Sequence, residues 1–452
     1  MSKSRRTFLK DSAKAGAGIY IGAMGFSAKS YANIIGANDR VRVGVVGYSD
    51  RFRQSLLPSF MNHYKELNFD MVAVSDLWKK RREDGSAFLK EKFGHDVKPF
   101  VNNDALYSSK EIDAVIISTP DFAHARCAIE AVKAGCDVYC EKPFAETMED
   151  NRDALKAVKA SGKILQIGSQ RRSGSNYHAA ENFIKSGKFG DITMVELTWN
   201  VNQPGRWRRP DVVPLLKEED TDWVRFQQNR PLAKFDPRKY LEFRLFWPYS
   251  SGLSGQWMSH QIDTVHWFSG LKHPRSVVAN GGIYMWKDGR TNWDTITAVF
   301  DYGPLDDLTK GFQVTFASRM HNGDDDPKEL YYSNGGELNL DTNKVSPKGG
   351  LKKGPAAAMK LEPFLLPEIS LENSGPKVIT AANTGGDPLT SAHMRNWMDC
   401  VRSRKQPNAP VEAGYSHAIA TSMTNAAVHT GQKVTFDEKT QEIMAGGKAF
   451  KY

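Results

Sequence analysis

Through the first half of the chain, short apolar runs alternate with stretches whose apolar residues recur at helical spacing. Residues 40–47 are rich in valine and end in glycine, and residues 71–75, 114–118, 137–140 and 163–167 repeat this short β-branched pattern. Such runs suit strands buried on both faces of a parallel sheet. A helical stretch follows the first run through Lys65, and Ala125, Ile129 and Val132 form a single stripe closed by Gly135. Strands separated by helices predict a parallel sheet covered on both sides.

Beyond about residue 190 the texture changes. Residues 193–200, 276–285, 295–302 and 312–318 collect or alternate β-formers without helices of equal weight between them, predicting a second, largely antiparallel sheet. Two long polar segments, 201–246 and 322–387, read as loops of functional length. Helical patterns over 392–403 and 414–430 close the chain. The fold expected is α/β: a Rossmann dinucleotide-binding domain over 38–165, then an α+β domain with a large, mostly antiparallel open sheet over 166–452.

Composition is that of ordinary globular material: 452 residues, 40% hydrophobic and 25% charged, enough for two cores. The net charge of +9 invites a nucleic-acid partner, but residues 1–32 hold six basic side chains against Asp11 alone. The remaining 55 basic and 51 acidic residues leave +4, too little for a polyanion-binding surface. That leader reads Ser4-Arg5-Arg6-Thr7-Phe8-Leu9-Lys10, followed by a weakly apolar run over 15–26 and small residues to Ala32. It is the pattern of a twin-arginine export signal, which implies recognition by the twin-arginine translocase, a periplasmic address and folding before export. The run is too short to anchor the protein stably in a membrane. Structural disulfides are then not expected among Cys127, Cys136, Cys140 and Cys400, and Cys136 and Cys140, in a strand-like run, are expected as buried thiols.

The first strand opens into Gly44-Val-Val-Gly47-Tyr-Ser49-Asp-Arg51-Phe52. A dinucleotide turn needs glycine for the tight bend, for close approach of the pyrophosphate and for helix packing. Gly47 supplies the first, while Ser49 and Phe52 occupy the other two places. Asp76, at the end of the second strand, is placed to accept hydrogen bonds from the adenosine ribose and to repel a 2′-phosphate. NAD is therefore expected over NADP, with Lys79-Lys-Arg-Arg82 as the run that would serve NADP or simply begin a solvated helix.

The run 114–118 leads into Ser118-Thr-Pro-Asp-Phe-Ala-His124, and the run 137–140 ends in Tyr139-Cys-Glu141-Lys142-Pro143. With Gly168-Ser-Gln170-Arg171-Arg172, Asp222-Trp223, Phe246-Trp247 and His260-Gln-Ile-Asp263, these segments resemble the Gfo/Idh/MocA family of glucose-fructose oxidoreductase and inositol dehydrogenase. The resemblance implies Lys142 as proton relay and His260 as substrate contact and acid-base group. It sets Thr119, Pro120, His124, Glu141 and Gln170 with Ser49 and Arg51 on the cofactor, and Arg171, Gln256 and Asp263 on the substrate side, Asp263 by orienting its helix. It also implies a homo-oligomer, a dimer or tetramer. Oxidising a secondary alcohol needs these types anyway, a base for the O–H proton while hydride moves to the nicotinamide. The family usually has Asp where Gln256 stands, and an amide orients an imidazole without stabilising its charged form.

His260, Asp263 and His266 do not share a helix face, so no metal is expected. The function expected is oxidation or reduction of a sugar hydroxyl with a tightly held dinucleotide. The alternatives are NAD-dependent glycoside cleavage through transient oxidation and a non-catalytic carbohydrate-binding role. Trp199, Trp207, Trp223, Phe246, Trp247 and Trp257 would suit sugar stacking or core packing.

Overall fold

The computed structural model describes residues 39–324, 328–371 and 387–451. The export leader lies outside the described residues. Strands β1 (Val41–Val46), β2 (Phe69–Ser75), β3 (Lys98–Phe100), β4 (Ala114–Ile117), β5 (Asp137–Cys140) and β6 (Leu165–Ile167) form a parallel sheet in the order β3-β2-β1-β4-β5-β6. This is the doubly wound order whose direction reverses between β1 and β4. The sequence pattern misses β3 because it is a three-residue edge strand with Pro99 at its centre, a position only an edge tolerates.

Helices α1 (Lys79–Phe93), α2 (His124–Lys133) and α3 (Met148–Ser161) belong to this domain. The Thr147 hydroxyl caps α3 by accepting from Asp150 N–H at 3.2 Å. Part of the sheet's other face is covered from far along the chain. Met394, Trp397 and Met398, later assigned to α6, pack in one cluster with Val43, Val45, Met71 and Tyr139. Gln166 Nε2 also donates to the carbonyl of His393 at 2.6 Å.

The second sheet joins β7 (Met194–Thr198), β8 (Ser276–Gly282), β9 (Thr295–Tyr302), β10 (Phe312–Arg319), β11 (Glu329–Ser333), β12 (Gly336–Asn339), β13 (Lys344–Ser346), β14 (Ile369–Ser370), β15 (Val434–Asp437), β16 (Glu442–Ala445) and β17 (Lys448–Ala449). Their order is β14-β13-β12-β11-β7-β10-β9-β8-β15-β16-β17. Every pairing is antiparallel except β7 with β10. Burial alternates along β9 and β10 with the period of two that one covered face dictates. That face packs with α4 (Ser175–Lys185), α5 (Ser259–Ser269) and α7 (Val411–Thr430); α6 (Pro388–Ser403) is the helix that completes the first domain.

The segment 322–387, expected as a loop, instead carries β11 to β14. The inward positions of β11 are Glu329, Tyr331 and Ser333, so its buried face does not look apolar in sequence. Segment 201–246 contains only short helical turns, among them Trp223–Phe226 and Pro237–Leu241, and folds against the first domain. Arg225 pairs with Asp104 at 2.7 Å and Arg209 with Asp50 at 3.3 Å. All four cysteines are buried free thiols.

Candidate active site

Where β1 ends, Gly47 turns with φ +84°, a left-handed conformation that favours glycine. A Cβ there would stand 3.0 Å from the Thr119 backbone nitrogen. Gly47 N–H donates to Ser75 O at 2.8 Å, and the Ser118 hydroxyl donates to Gly47 O at 2.6 Å. These bonds join the carboxyl ends of β1, β2 and β4 around the reversal point, where open α/β sheets bind their ligands. From there a cavity of ≈ 1210 Å³ runs from Asp76 past Gly47, Ser49 and Thr119 to Lys142 and His260.

The Asp76 end fits an adenosine. Its carboxylate oxygens accept Tyr48 N–H and Trp78 N–H, each at 2.9 Å, which aims the group and leaves each oxygen a further lone pair for a ribose hydroxyl. The basic run nearby is divided in role: Arg81 lines the cavity, while Arg82 donates to the Asp76 carbonyl at 2.7 Å. Ser49 caps the following turn, its hydroxyl accepting Phe52 N–H at 3.1 Å, and Phe52 is fully buried under the sheet. The two missing glycines are thus replaced by a cap and a core aromatic. Gly47, Ser49 and Asp76 would hold the pyrophosphate and ribose of a dinucleotide, with Thr119, Pro120 and Glu141 along its nicotinamide half.

Other residues assigned to the cofactor hold the walls together. Arg51 Nε reaches Glu141 at 3.0 Å and its NH1 reaches Ser55 at 2.9 Å. Gln170 Nε2 donates to Tyr139 at 3.1 Å and to Glu141 at 3.2 Å. Burial alone would raise the Glu141 carboxyl, but the charges of Arg51 and Lys142 hold it below its ordinary value. His124 requires a correction. Its ring nitrogens face the carbonyls of Pro143 at 2.8 Å and Thr119 at 2.9 Å, so it ties the loops after β4 and β5 and offers the cofactor no ring nitrogen.

At the other end a π-helical turn, Ser254–Met258, leads into α5. It presents the Gln256 carbonyl to Lys142 Nζ at 2.6 Å, and π-turns often mark functional sites for this reason. Burial lowers the Lys142 amine to about 8, against the opposing pull of Glu141 and Asp121. His260 lies on the first turn of α5 and stacks against Trp199 at 5.8 Å. Burial, then the charges of Lys142 and Arg171, hold it well below its ordinary value, so it is neutral near pH 7.

Arg171 lines the cavity, paired with the buried Glu329 and lying 5.5 Å over Trp199. Arg171→Met would leave Glu329 without its counter-charge, and stability is expected to fall by about 3–5 kcal/mol. Denaturant midpoints should show Arg171→Met/Glu329→Gln regaining most of that loss; no recovery would refute the pairing as the cause.

Asp263 is the second correction, for it is buried outside the cavity lining; its clamp by Arg172 at 2.8 and 3.0 Å suits the orienting role expected of it and not a place on the substrate. Of the candidate aromatics, Trp199, Trp207 and Trp257 line the cavity. Trp223 and Phe246 lie in a core cluster, and Trp247 packs on His429 at 4.6 Å. Sequence reasoning missed Arg206, Arg244 and the acid pair Asp121 and Glu146. Asp121 accepts from Ser250 Oγ at 2.6 Å and from Gln256 Nε2, and burial together with the Asp121 charge pushes Glu146 upward. Only Asp121, in the motif after β4, carried a sequence signal. Among the described residues no group of His, Cys, Asp or Glu is placed to hold a metal.

Fold and cleft together define a two-domain protein with a dinucleotide site at the reversal point of its parallel sheet and a second chamber beneath a large antiparallel sheet. Residues 41–169 match the GFO_IDH_MocA oxidoreductase family, NAD-binding Rossmann fold, so the cofactor domain is of the NAD-binding kind. Inositol 2-dehydrogenase of Salmonella paratyphi B is 30% identical over 175 residues, 38% of this chain and 51% of that protein. That of Rubrobacter xylanophilus is 32% identical over 190 residues, 42% of this chain and 49% of its own. The chain thus spans about half the length of these curated relatives. Over both domains the fold is similar to a levoglucosan dehydrogenase solved with NADH and L-sorbose, at TM-score 0.63 and 14% identity, covering 89% of this chain and 100% of that one. The WlbA dehydrogenase of Bordetella pertussis, in complex with NADH and UDP-GlcNAcA, aligns at TM-score 0.61 and 16% identity, covering 88% and 99%.

Proposed function

We propose that the chain is an exported NAD-dependent oxidoreductase that acts on a CH–OH group of a carbohydrate and keeps its dinucleotide through the catalytic cycle. The observation that carries this reading is Lys142, an amine lowered to about 8 where the dinucleotide half of the cavity meets the aromatic-walled chamber. A bound nicotinamide supplies the hydride acceptor or donor. Lys142 takes the alcohol proton in its neutral form and returns it in the reverse direction, held in place by the Gln256 carbonyl. Neutral His260 orients the hydroxyl without adding charge. Support for a carbohydrate comes from the inositol and levoglucosan dehydrogenases among the similar proteins.

Retention of the cofactor is supported by segment 201–246, whose Arg209, Arg225 and Tyr240 close over the groove from Asp50 to Asp76. The Arg5-Arg6 leader supports export by the twin-arginine translocase to the periplasm, where a held cofactor would need no free supply. A homo-oligomer formed through the outer face of the large sheet is the assembly that suits Val278, 45% exposed on β8.

The reading is tested by denaturing the purified protein and identifying released small molecules by mass. Recovery of NAD with net nicotinamide reduction on a sugar panel is the expected result. No dinucleotide and no binding of added NAD or NADP would overturn it, and aryl-glycoside cleavage without net reduction would replace it with cleavage through transient oxidation.

A further inference from the structure

Most guanidinium groups around the cavity already have an acidic partner. Arg51 has Glu141, Arg171 has Glu329, Arg209 has Asp50 and Arg225 has Asp104. Arg81, Arg206 and Arg244 make no ion pair with a carboxylate among the described residues; Arg81 stands at the Asp76 end, and Arg206 and Arg244 stand in the second chamber. Arg206 donates to Gln203 through one terminal nitrogen, its buried Nε has no hydrogen-bond partner, and its guanidinium lies 5.3 Å over Trp257 and 5.8 Å over Trp207. Arg244 Nε donates to the Gln256 side-chain oxygen at 2.9 Å. Neither of these two guanidinium groups makes an ion pair among the described residues; the charges of Asp121 and Glu141 act on Arg244 from a distance, and Arg206 faces amides and rings.

We infer that the carbohydrate bound in this chamber carries an oxyanion, a carboxylate or a phosphate ester, and that Arg206 and Arg244 receive it. The inference rests on the proposed carbohydrate site and names the class of sugar it takes.

Three observations support it. Gln256 is the hinge of the charge arrangement: its Nε2 donates to Asp121, its Oε1 accepts from Arg244, and its carbonyl accepts from Lys142. The neutral amide therefore stands between Arg244 and the nearest buried acid, and the same residue joins Arg244 to the proposed base. An anionic substituent on a ring whose hydroxyl addresses Lys142 is within reach of Arg244. Second, Trp207 has φ +66°, a conformation unfavourable for an aromatic residue, and the turn containing it directs both Arg206 and Trp207 to the cavity. Strain of this kind persists where surrounding structure holds it, often at ligand clamps. Third, burial and repulsion from Arg244 and Arg209 lower Arg206 to about 10 with no acid opposing them, the direction expected of a cation that lacks a counter-ion, while burial lowers Arg244 against the pull of Asp121 and Glu141.

Calorimetry on the cofactor-loaded protein tests this with glucose, glucuronate and glucose 6-phosphate, and with the three galactose counterparts. At least one anionic sugar is expected to bind about 10–100-fold more tightly than its neutral parent, with affinity falling as salt rises. The uronate and phosphate arms distinguish the two oxyanions. Arg206→Gln and Arg244→Gln should each remove about 10–100-fold of that affinity, with a much smaller loss for the neutral parent sugar and none for NAD. Gln256→Asp, which gives Arg244 a resident carboxylate, should lower the preference in the same sense. Equal binding of neutral and anionic sugars across the panel overturns the inference, and so does parallel loss of NAD affinity, which would assign the arginines to the cofactor phosphates. Anionic-sugar binding without any nicotinamide reduction leaves the inference standing and removes the oxidoreductase reading instead.

Discussion

Lys142→Met is expected to lower turnover by about 10²–10⁴-fold while the fold and dinucleotide affinity persist, the range that loss of a positioned proton acceptor spans. The side chain sits where burial lowers the amine to about 8. The sign of the pH dependence follows. Oxidation requires the neutral amine, so its kcat/KM should rise about tenfold per pH unit below 8 and level off above it. Reduction requires the charged form and should fall above the same point. Lys142→Arg keeps a positive charge at the Gln256 carbonyl but cannot deprotonate, so it should be as inactive as Lys142→Met in the oxidative direction. Steady-state rates across pH, read from nicotinamide absorbance, check the parent and both variants; a Lys142→Met rate within tenfold of the parent, or an unchanged limb near pH 8, would reject the role. His260 stays neutral through this range and adds no limb there; a limb from Glu146, pushed to about 8 by burial and the Asp121 charge, would persist in Lys142→Met, which separates the two groups.

Gly47→Val is expected to weaken NAD binding by at least about 10²-fold without unfolding the chain. Two effects add. The φ of +84° becomes strained for a β-branched residue, at about 1–2 kcal/mol. The new Cβ would also meet the Thr119 backbone at 3.0 Å, and the Val methyls beyond it would occupy the approach that a pyrophosphate needs. Gly47→Ala, which meets the same backbone with no further methyls, should show a smaller loss. Fluorescence titration with NADH measures both, alongside thermal unfolding to confirm the fold. Wild-type affinity in Gly47→Val would mean that the dinucleotide does not pass over this turn.

Much of the architecture could be read along the chain. The five longer runs of the first domain are strands, and β9 has the bounds its pattern predicts, because a strand's period and a glycine's tolerance of positive φ are properties of a few adjacent residues. Glu141-Lys142-Pro143 and His260 are picked out by the family resemblance that their short local motifs carry, not by periodicity. β11 escaped notice since its inward face begins with Glu329, and a buried acid is intelligible only beside Arg171, 158 positions away. Asp263 is expected on the substrate side as a residue that orients its helix, and its partner in that role, Arg172, lies 91 positions away.

Arg206 and Arg244 belong to a segment without periodicity, so the sequence offered no reason to prefer them over the many other arginines of the chain. The sequence by itself therefore determined the strands of the first sheet and the glycine turn after the first of them, which depend on short-range stereochemistry, and it singled out Lys142 only through a resemblance. Only the tertiary structure decided which charges are compensated, which helix completes the first sheet, and what lines the second chamber. The physical reason is that pairing and desolvation act through space over a few ångströms, between residues that the chain separates by tens to hundreds of positions.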